Sequence, residues 1–567
     1  MKTRTTQSGV TRRDAIRLTL GTMSGAATVV ALPQPIAAQT VEPRAHKVIA
    51  ADARTVVEIT SGKIRGYLNG DVYTFKGIPY AEPPTAERRF VAPVGVRPWS
   101  GIRNTLVYGP TCPTGSADAT GGNNAATTDE DNFVLYRVAG TPREDCLRLN
   151  VWTPSTSGGS RPVMVYMHGG GFTGHSSSGL LSYDGSNLAR RHDVVVITHN
   201  HRLNALGYLD LSEVGGERYA QSGNVGMLDI VAVLHWVREN AARFGGDPNN
   251  VTVFGQSGGG GKVSALLGMP AAKGLFHRAI VQSGSMLRMR DQQVARRLSA
   301  AVIAELGMSS GQIADIHTIP VDKLYAAVRA ASARLTASAS PGGNATGFAP
   351  VVDGVVLPAH PFDPVASSLS ASVPMLIGTN ENEMMHGLDN PGVQAMTEAQ
   401  ALERLVRYGR AAKPIFDAYR LEYAGYTPWQ IYAAISAAGS RTNAFTQAAR
   451  KAALDGAPAY QYLFSWRTPV LDGRPGTFHS CEIAFVFDNL DLCPNLTGGD
   501  PEGAALATQI SRAWTTFART GKPGQSGLPE WPVFTAERES TMVFDAPCRV
   551  RHQVERDGRK LIAQAIA

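Results

Sequence analysis

The chain has 567 residues, 43% of them apolar and 18% charged, with a formal net charge of +7. That balance excludes a disordered or fibrous chain and leaves length for at least one large buried core. Lysine and arginine form no dense run, so nucleic-acid binding is not indicated, and five cysteines without a CxxC or zinc-ribbon pattern support neither redox catalysis nor a structural metal.

The amino terminus reads as a twin-arginine-like export signal over residues 1–38. Thr11-Arg12-Arg13-Asp14 precedes an uncharged apolar run from Leu18 to Leu32, and Pro33 to Ala38 leads to a cleavage site after Ala38. The run is shorter than the roughly 20 residues needed to cross a bilayer, so a stable membrane anchor is not expected. This segment holds five basic residues against Asp14, so that without it the charge falls from +7 to +3. A polar lead-in, 39–54, precedes a single expected domain, 55–567. No internal repeat is visible, and the Ala/Ser/Gly-rich stretch from Ala330 to Ala345 reads as a surface connection.

Within that domain, apolar strands at Val163–Met167, Val194–Thr198, Val251–Phe254 and Ala279–Gln282 alternate with helical segments, which predicts a mostly parallel sheet flanked by helices. Val231, Leu234, Val237, Ala241 and Phe244 recur at helical spacing until Gly245 and Gly246 stop the run. The strand Pro162–Met167 passes into His168-Gly169-Gly170-Gly171, an oxyanion-hole signature in which bare backbone lets N–H groups approach a developing negative oxygen. His199 and His201 alternate at a strand end, but no third ligand with suitable spacing follows, so no metal site or cofactor is assigned.

The strand Val251-Thr252-Val253-Phe254 ends in Gly255-Gln256-Ser257-Gly258-Gly259 and passes into helix-compatible sequence. This GxSxG reads as a nucleophile elbow, a sharp strand-to-helix turn that exposes the Ser257 hydroxyl at the sheet edge. Gly261-Lys262 resembles the end of a phosphate-binding loop, yet the required first glycine falls at Gln256 and Val263 stands where a serine or threonine is needed. Ser257 is therefore the expected nucleophile, with the amides of Gly170, Gly171 and Gly258 as oxyanion donors.

These motifs stand in order with Phe75-Lys76-Gly77-Ile78-Pro79-Tyr80-Ala81, Glu144-Asp145-Cys146-Leu147-Arg148-Leu149-Asn150-Val151-Trp152, Asn200-His201-Arg202-Leu203, Phe244-Gly245-Gly246-Asp247-Pro248, Gln282-Ser283-Gly284, Trp531-Pro532 and Phe544-Asp545. Taken together the chain resembles the type B carboxylesterase family, the cholinesterase-like branch of the α/β hydrolases, almost end to end. The resemblance implies an α/β-hydrolase fold and ester hydrolysis through an acyl-enzyme. It implies Glu383 as the acid, in Gly378-Thr379-Asn380-Glu381-Asn382-Glu383, with Met384 in place of the family's final glycine and Glu381 as the fallback. The base follows the acid in this fold, and only His386, His479 and His552 lie beyond Glu383. His386 would share the acid's loop and His552 sits in a charged tail. His479, in Gly476-Thr477-Phe478-His479-Ser480-Cys481-Glu482-Ile483, matches the family's histidine segment. Ser283 is implied as a support for the acid, and Cys112 with Cys146 as the family's first disulfide. Cys493 and Cys548 could pair, leaving Cys481 free.

Two departures bear on substrate. Gln256 replaces a glutamate common before the serine, removing a charge that would attract cationic esters. The loop between Cys112 and Cys146 lacks the tryptophan that cholinesterases stack on quaternary ammonium, and offers Phe133 and Tyr136 as its aromatics. The expected substrate is a small to medium neutral ester. A carbamate or amide hydrolase with the same machinery, or a non-catalytic binding homologue, are the alternatives, and nothing in the sequence fixes the oligomeric state.

Overall fold

In the computed structural model, residues 48–50, 53–115, 129–338, 346–383 and 391–566 are described. The export signal, most of the polar lead-in, Met384, His386 and the glycine-rich part of the loop after Cys112 lie outside them.

The strands of the main sheet, in chain order, are β1 (Val48–Ala50), β2 (Tyr67–Asn69), β3 (Val72–Pro79), β4 (Arg148–Thr153), β5 (Arg161–Met167), β6 (Val195–His199), β7 (Gly246–Gln256), β8 (Arg278–Gln282), β9 (Met375–Asn380), β10 (Ala459–Phe464), β11 (Thr541–Phe544) and β12 (Arg549–Arg551). They form one 12-stranded sheet in the spatial order β1-β2-β3-β4-β6-β5-β7-β8-β9-β10-β11-β12. From β6 to β11 every pairing is parallel, and the sheet turns antiparallel at both ends. The four strands expected from sequence all belong to this parallel centre.

Their apolar runs are nearly continuous because both faces of the sheet are covered. Side-chain alternation then divides the core in two. Val163, Val165 and Met167 of β5 pack with Val195 and Ile197 of β6 and with Val253, Val281 and Ile377 on one face. Met164, Tyr166, Val196, Phe254, Ile280 and Leu376 pack on the other. Helix α1 (Val225–Asn240) covers the first face with Ile230, Leu234 and Val237, and Gly245 stops the extension of this helix with φ 71°, as the spacing predicted. Farther along the chain the second face is closed by Leu506, Ile510, Trp514 and Phe517 of the helix Pro501–Thr520. Lys47–Ala567 forms one compact unit.

One expectation is corrected. Of the stretch Ala330 to Ala345 read as a surface connection, Ala330 to Ser338 is the end of a helix, Val321–Ser338, and 339–345 lie outside the described residues. Alanine is the best helix former, and Leu324, Val328 and Ala331 at helical spacing bury that face.

Candidate active site

Between β7 and helix α2 (Gly258–Leu266) the chain turns at Ser257, whose φ 58° and ψ −124° place it in sparsely populated backbone space. The turn is held by Ser257 N donating to Gln282 O at 2.8 Å and by Gly261 N donating to Ser257 O at 3.0 Å. The glycines that follow do not weaken α2 without return. A methyl group on Gly259 would stand 1.9 Å from Met167 O, and one on Gly258 would stand 2.2 Å from Gly171 O. The bare helix start thus lets the loop after β5 lie directly against it.

That loop is the HGGG segment. Gly170 (φ 81°) and Gly171 (φ 61°) take left-handed conformations, and the Gly170 carbonyl is turned away to accept from Thr173 N and Gly174 N at 3.3 and 3.0 Å. Among the described contacts the Gly170 and Gly171 amides donate to no protein acceptor. The Gly258 amide, at the first position of α2, has no carbonyl of its own helix to bond. His168 is buried beneath, its Nδ1 2.9 Å from Gly169 O and its ring stacked on His201 with centroids 4.8 Å apart. His199 and His201 are buried as well, and no cluster suited to a metal ion occurs among the described residues.

Glu383 follows β9 and His479 lies in the loop after β10, neighbouring strands that bring the two loops together. His479 Nδ1 is 2.5 Å from Glu383 Oε2, while Glu383 Oε1 accepts from Asn380 N at 2.9 Å. Cross-ties fix the pair, with Asn382 N donating to Thr477 O at 3.2 Å and Asn380 Nδ2 to Phe478 O at 2.8 Å. Burial by itself would push the Glu383 carboxyl up. The charge and hydrogen bond of His479, the adjacent Ser283 hydroxyl and the Asn380 amide outweigh it, so Glu383 lies below its ordinary range. The Ser283 hydroxyl is near enough to favour the anion but does not reach aligned hydrogen-bond geometry. Burial likewise disfavours the His479 cation, but the Glu383 charge and hydrogen bond, with Glu482 behind them, raise its pKa. Glu381, the fallback, points elsewhere, accepting from Tyr426 Oη at 2.9 Å and facing Arg467 at 3.4 Å.

Gln256 joins the elbow to the histidine. Its Nε2 lies 3.3 Å from His479 Nε2, and its Oε1 accepts from Ser480 Oγ at 3.1 Å. No hydrogen bond joins Ser257 Oγ to His479 among the described contacts. Three residues to which sequence reasoning gave no role in the site complete the surroundings. Glu482, three positions after His479, is buried, receives Asn380 Nδ2 at 2.7 Å, and is pushed up to about 7 by burial and by Glu383. Arg441 binds the carbonyls of Asn380 and Glu381, both at 3.0 Å, and so braces the strand end that carries Glu383. Lys262 is buried under the HGGG loop. The signal for Lys262 was a lone cation in an otherwise apolar helix. Arg441 had none, because its partners are remote in sequence.

The cysteines are thiols in this structure. Cys112 and Cys146 are buried side by side, and the contact with Cys112, first, together with burial, pushes the Cys146 thiol up. The bridge that the resemblance implies is thus not formed here, although its two sulfurs are neighbours. Cys493 and Cys548 are unpaired too, the latter donating to Gln509 Oε1 at 3.2 Å, and Cys481 is buried. Phe133 and Tyr136 are more than half exposed, at 51% and 57%.

A parallel sheet flanked by helices on both faces, with a serine on a strained strand-to-helix turn and a glycine loop beside it, defines an α/β hydrolase. Residues 53–560 match the family described as the Carboxylesterase family, and the chain belongs to it. It is 34% identical over 511 residues to the para-nitrobenzyl esterase of Bacillus subtilis (strain 168), covering 89% of this chain and 98% of that one. The phenmedipham hydrolase of Pseudarthrobacter oxydans is 33% identical over 508 residues, 86% of this chain and 95% of the relative. Among solved structures, a carboxylesterase of Geobacillus stearothermophilus superposes with a TM-score of 0.73 at 35% identity, covering 90% of this chain and all of the other. The protein is a carboxylic ester hydrolase, and no helix among the described residues is long and apolar enough to cross a membrane.

Proposed function

We propose that the protein hydrolyses small to medium neutral esters through an acyl-enzyme on Ser257, with His479 as base and Glu383 as the acid that orients it. Ser257 Oγ attacks the ester carbonyl carbon, and its proton passes to His479 Nε2. The carbonyl electron pair moves to oxygen, which the amides of Gly170, Gly171 and Gly258 receive. The carbon–oxygen bond to the alcohol breaks as His479 returns the proton to the leaving oxygen. Water then repeats the sequence and releases the acid. The observation that carries this reading is the convergence on Gln256 of two elements remote in sequence. One is the strained elbow, and the other is an imidazole whose Nδ1 is 2.5 Å from a buried carboxylate. Hydrogen bonds from nucleophile to base are often long without substrate and tighten when it binds.

Neutral substrates are favoured because Gln256, an uncharged amide, occupies the wall beside the nucleophile and histidine. Purified protein assayed against p-nitrophenyl esters of rising acyl length tests the reading, with Ser257→Ala as control. Activity that survives Ser257→Ala refutes it, and a preference for carbamates or anilides over esters in the same panel moves the assignment to the carbamate and amide reading. The same proposal includes export directed by residues 1–38 and a Cys112–Cys146 bridge formed in an oxidising compartment. The amino-terminal residue of the exported protein checks the first.

A further inference from the structure

Lys262 lies one helical turn beyond Gly258 on α2, so both face the same way. That face meets the HGGG loop. At Gly258 the backbone of Gly171 comes so close that a Cβ would stand 2.4 Å from Gly171 N. At Lys262 the buried ammonium donates to the carbonyls of His168 and Gly171 at 3.0 and 2.9 Å. These carbonyls bracket the segment that contains the Gly170 and Gly171 amides. One side chain therefore grips both ends of the stretch on which the oxyanion donors sit.

The grip comes without a compensating anion. No carboxylate faces Lys262 among the described residues; its surroundings are the Phe172 ring at 5.6 Å and the buried imidazoles of His168, His175, His199 and His201. Burial alone pushes the lysine down to about 7. A buried, unpaired cation is unfavourable for folding, and an apolar side chain of equal length would fill the same space. What an apolar residue could not do is hold two carbonyls.

We propose that Lys262 is a positioning residue for the oxyanion site, clamping the His168–Gly171 loop against the start of α2 so that the Gly170, Gly171 and Gly258 amides converge on one oxygen. The inference rests on the reading of Ser257 as nucleophile. Because the amides engage the oxyanion more strongly than the ground-state carbonyl, loosening them acts on the chemical step and not on ester binding.

Lys262→Met keeps the length and removes the donors. With p-nitrophenyl butyrate, kcat should fall by about tenfold or more, while KM stays within about threefold. An aryl trifluoromethyl ketone, whose adduct with the serine oxygen carries an oxyanion, should lose affinity by the same factor as kcat/KM. Thermal unfolding should occur no lower than in the wild type, and Lys262→Gln, which keeps an NH2 donor group on a shorter stem, should lose less activity. If Lys262→Met does not fold, Lys262→Gln is measured per active site labelled by a fluorophosphonate, and a fall in kcat per labelled site is then required. The proposal is overturned by a kcat per labelled site within about twofold of wild type, by a loss confined to KM, or by unchanged ketone affinity. Ser257→Ala separates the two readings. If it is inactive while Lys262→Met is silent, only the lysine's role fails; if it remains active, the nucleophile assignment fails.

Discussion

Replacing Arg441 by methionine should unfold the protein more readily than any surface change, and its own contacts set the size of the effect. Arg441 is 1% exposed and its partner Glu555 0%. Arg441 Nε donates to Glu555 Oε2 at 2.6 Å, Nη1 donates to the Asn380 and Glu381 carbonyls at 3.0 Å, and Nη2 donates to Ala434 O at 3.0 Å. Removing the guanidinium leaves a buried carboxylate to which, among the described residues, the hydroxyls of Tyr419 and Tyr423 remain as donors. Breaking such a pair from one side costs about 3–5 kcal/mol. Glu555→Gln removes the charge, its amide oxygen accepts from one tyrosine hydroxyl and its NH2 donates to the oxygen of the other, so adding it to Arg441→Met should return a large share of that loss. Equilibrium urea unfolding of wild type, both single variants and the double variant gives the coupling energy. Because the Asn380 and Glu381 carbonyls precede Glu383 by three and two residues, the folded Arg441→Met protein should also lose ester hydrolysis, by up to about 10²-fold for a misplacement near 1 Å. A single variant within about 1 kcal/mol of wild type, or a double variant no more stable than Arg441→Met, would refute the reasoning.

Glu383→Gln should lower kcat by about 10³–10⁴-fold, since an amide neither fixes the imidazole tautomer nor stabilises its cation. Burial lowers the His479 pKa and Glu383 raises it, so the residual activity should show its acidic limb at lower pH, and an unmoved limb would assign that limb to another group. Lys262→Met should stabilise the fold below about pH 7. The lysine is depressed to about 7 from 10.5, the unfolded chain binds the extra proton between these values, and the advantage of methionine should fade as pH rises through that window in thermal melts. His199 and His175 are held neutral by burial, with values near 3 and 4 against 6.5, so their stabilising share is present above 6.5 and lost as pH falls toward 3. Acid unfolding followed by circular dichroism should move to lower pH in His199→Gln, and a shift to higher pH would count against it. Mild oxidation should join Cys112 to Cys146, visible in a peptide map, and stabilise by roughly 3–4 kcal/mol by the loop-entropy argument; no gain would place the pair among strained bridges.

Local patterns in the sequence determined the parallel core strands, the helix that ends at Gly245, the GxSxG turn and the HGGG loop, because each follows from the periodicity or backbone freedom of a few consecutive residues. Glu383 and His479 were reachable only through resemblance, since a carboxylate in a loop and a lone histidine carry no local mark of their joint role. Tertiary structure decided the rest. It set the 2.5 Å contact between those two side chains, the amide of Gln256 against the imidazole, Arg441 behind the Glu383 loop, and Lys262 beneath the glycines. It also made a helix of Ala330–Ser338, where apolar contacts gave alanine's propensity a surface to bury. The four polar contacts depend on desolvating a polar or charged group beside a partner remote in the chain, and the energy of that step is set by what surrounds the group in space, which local sequence does not encode.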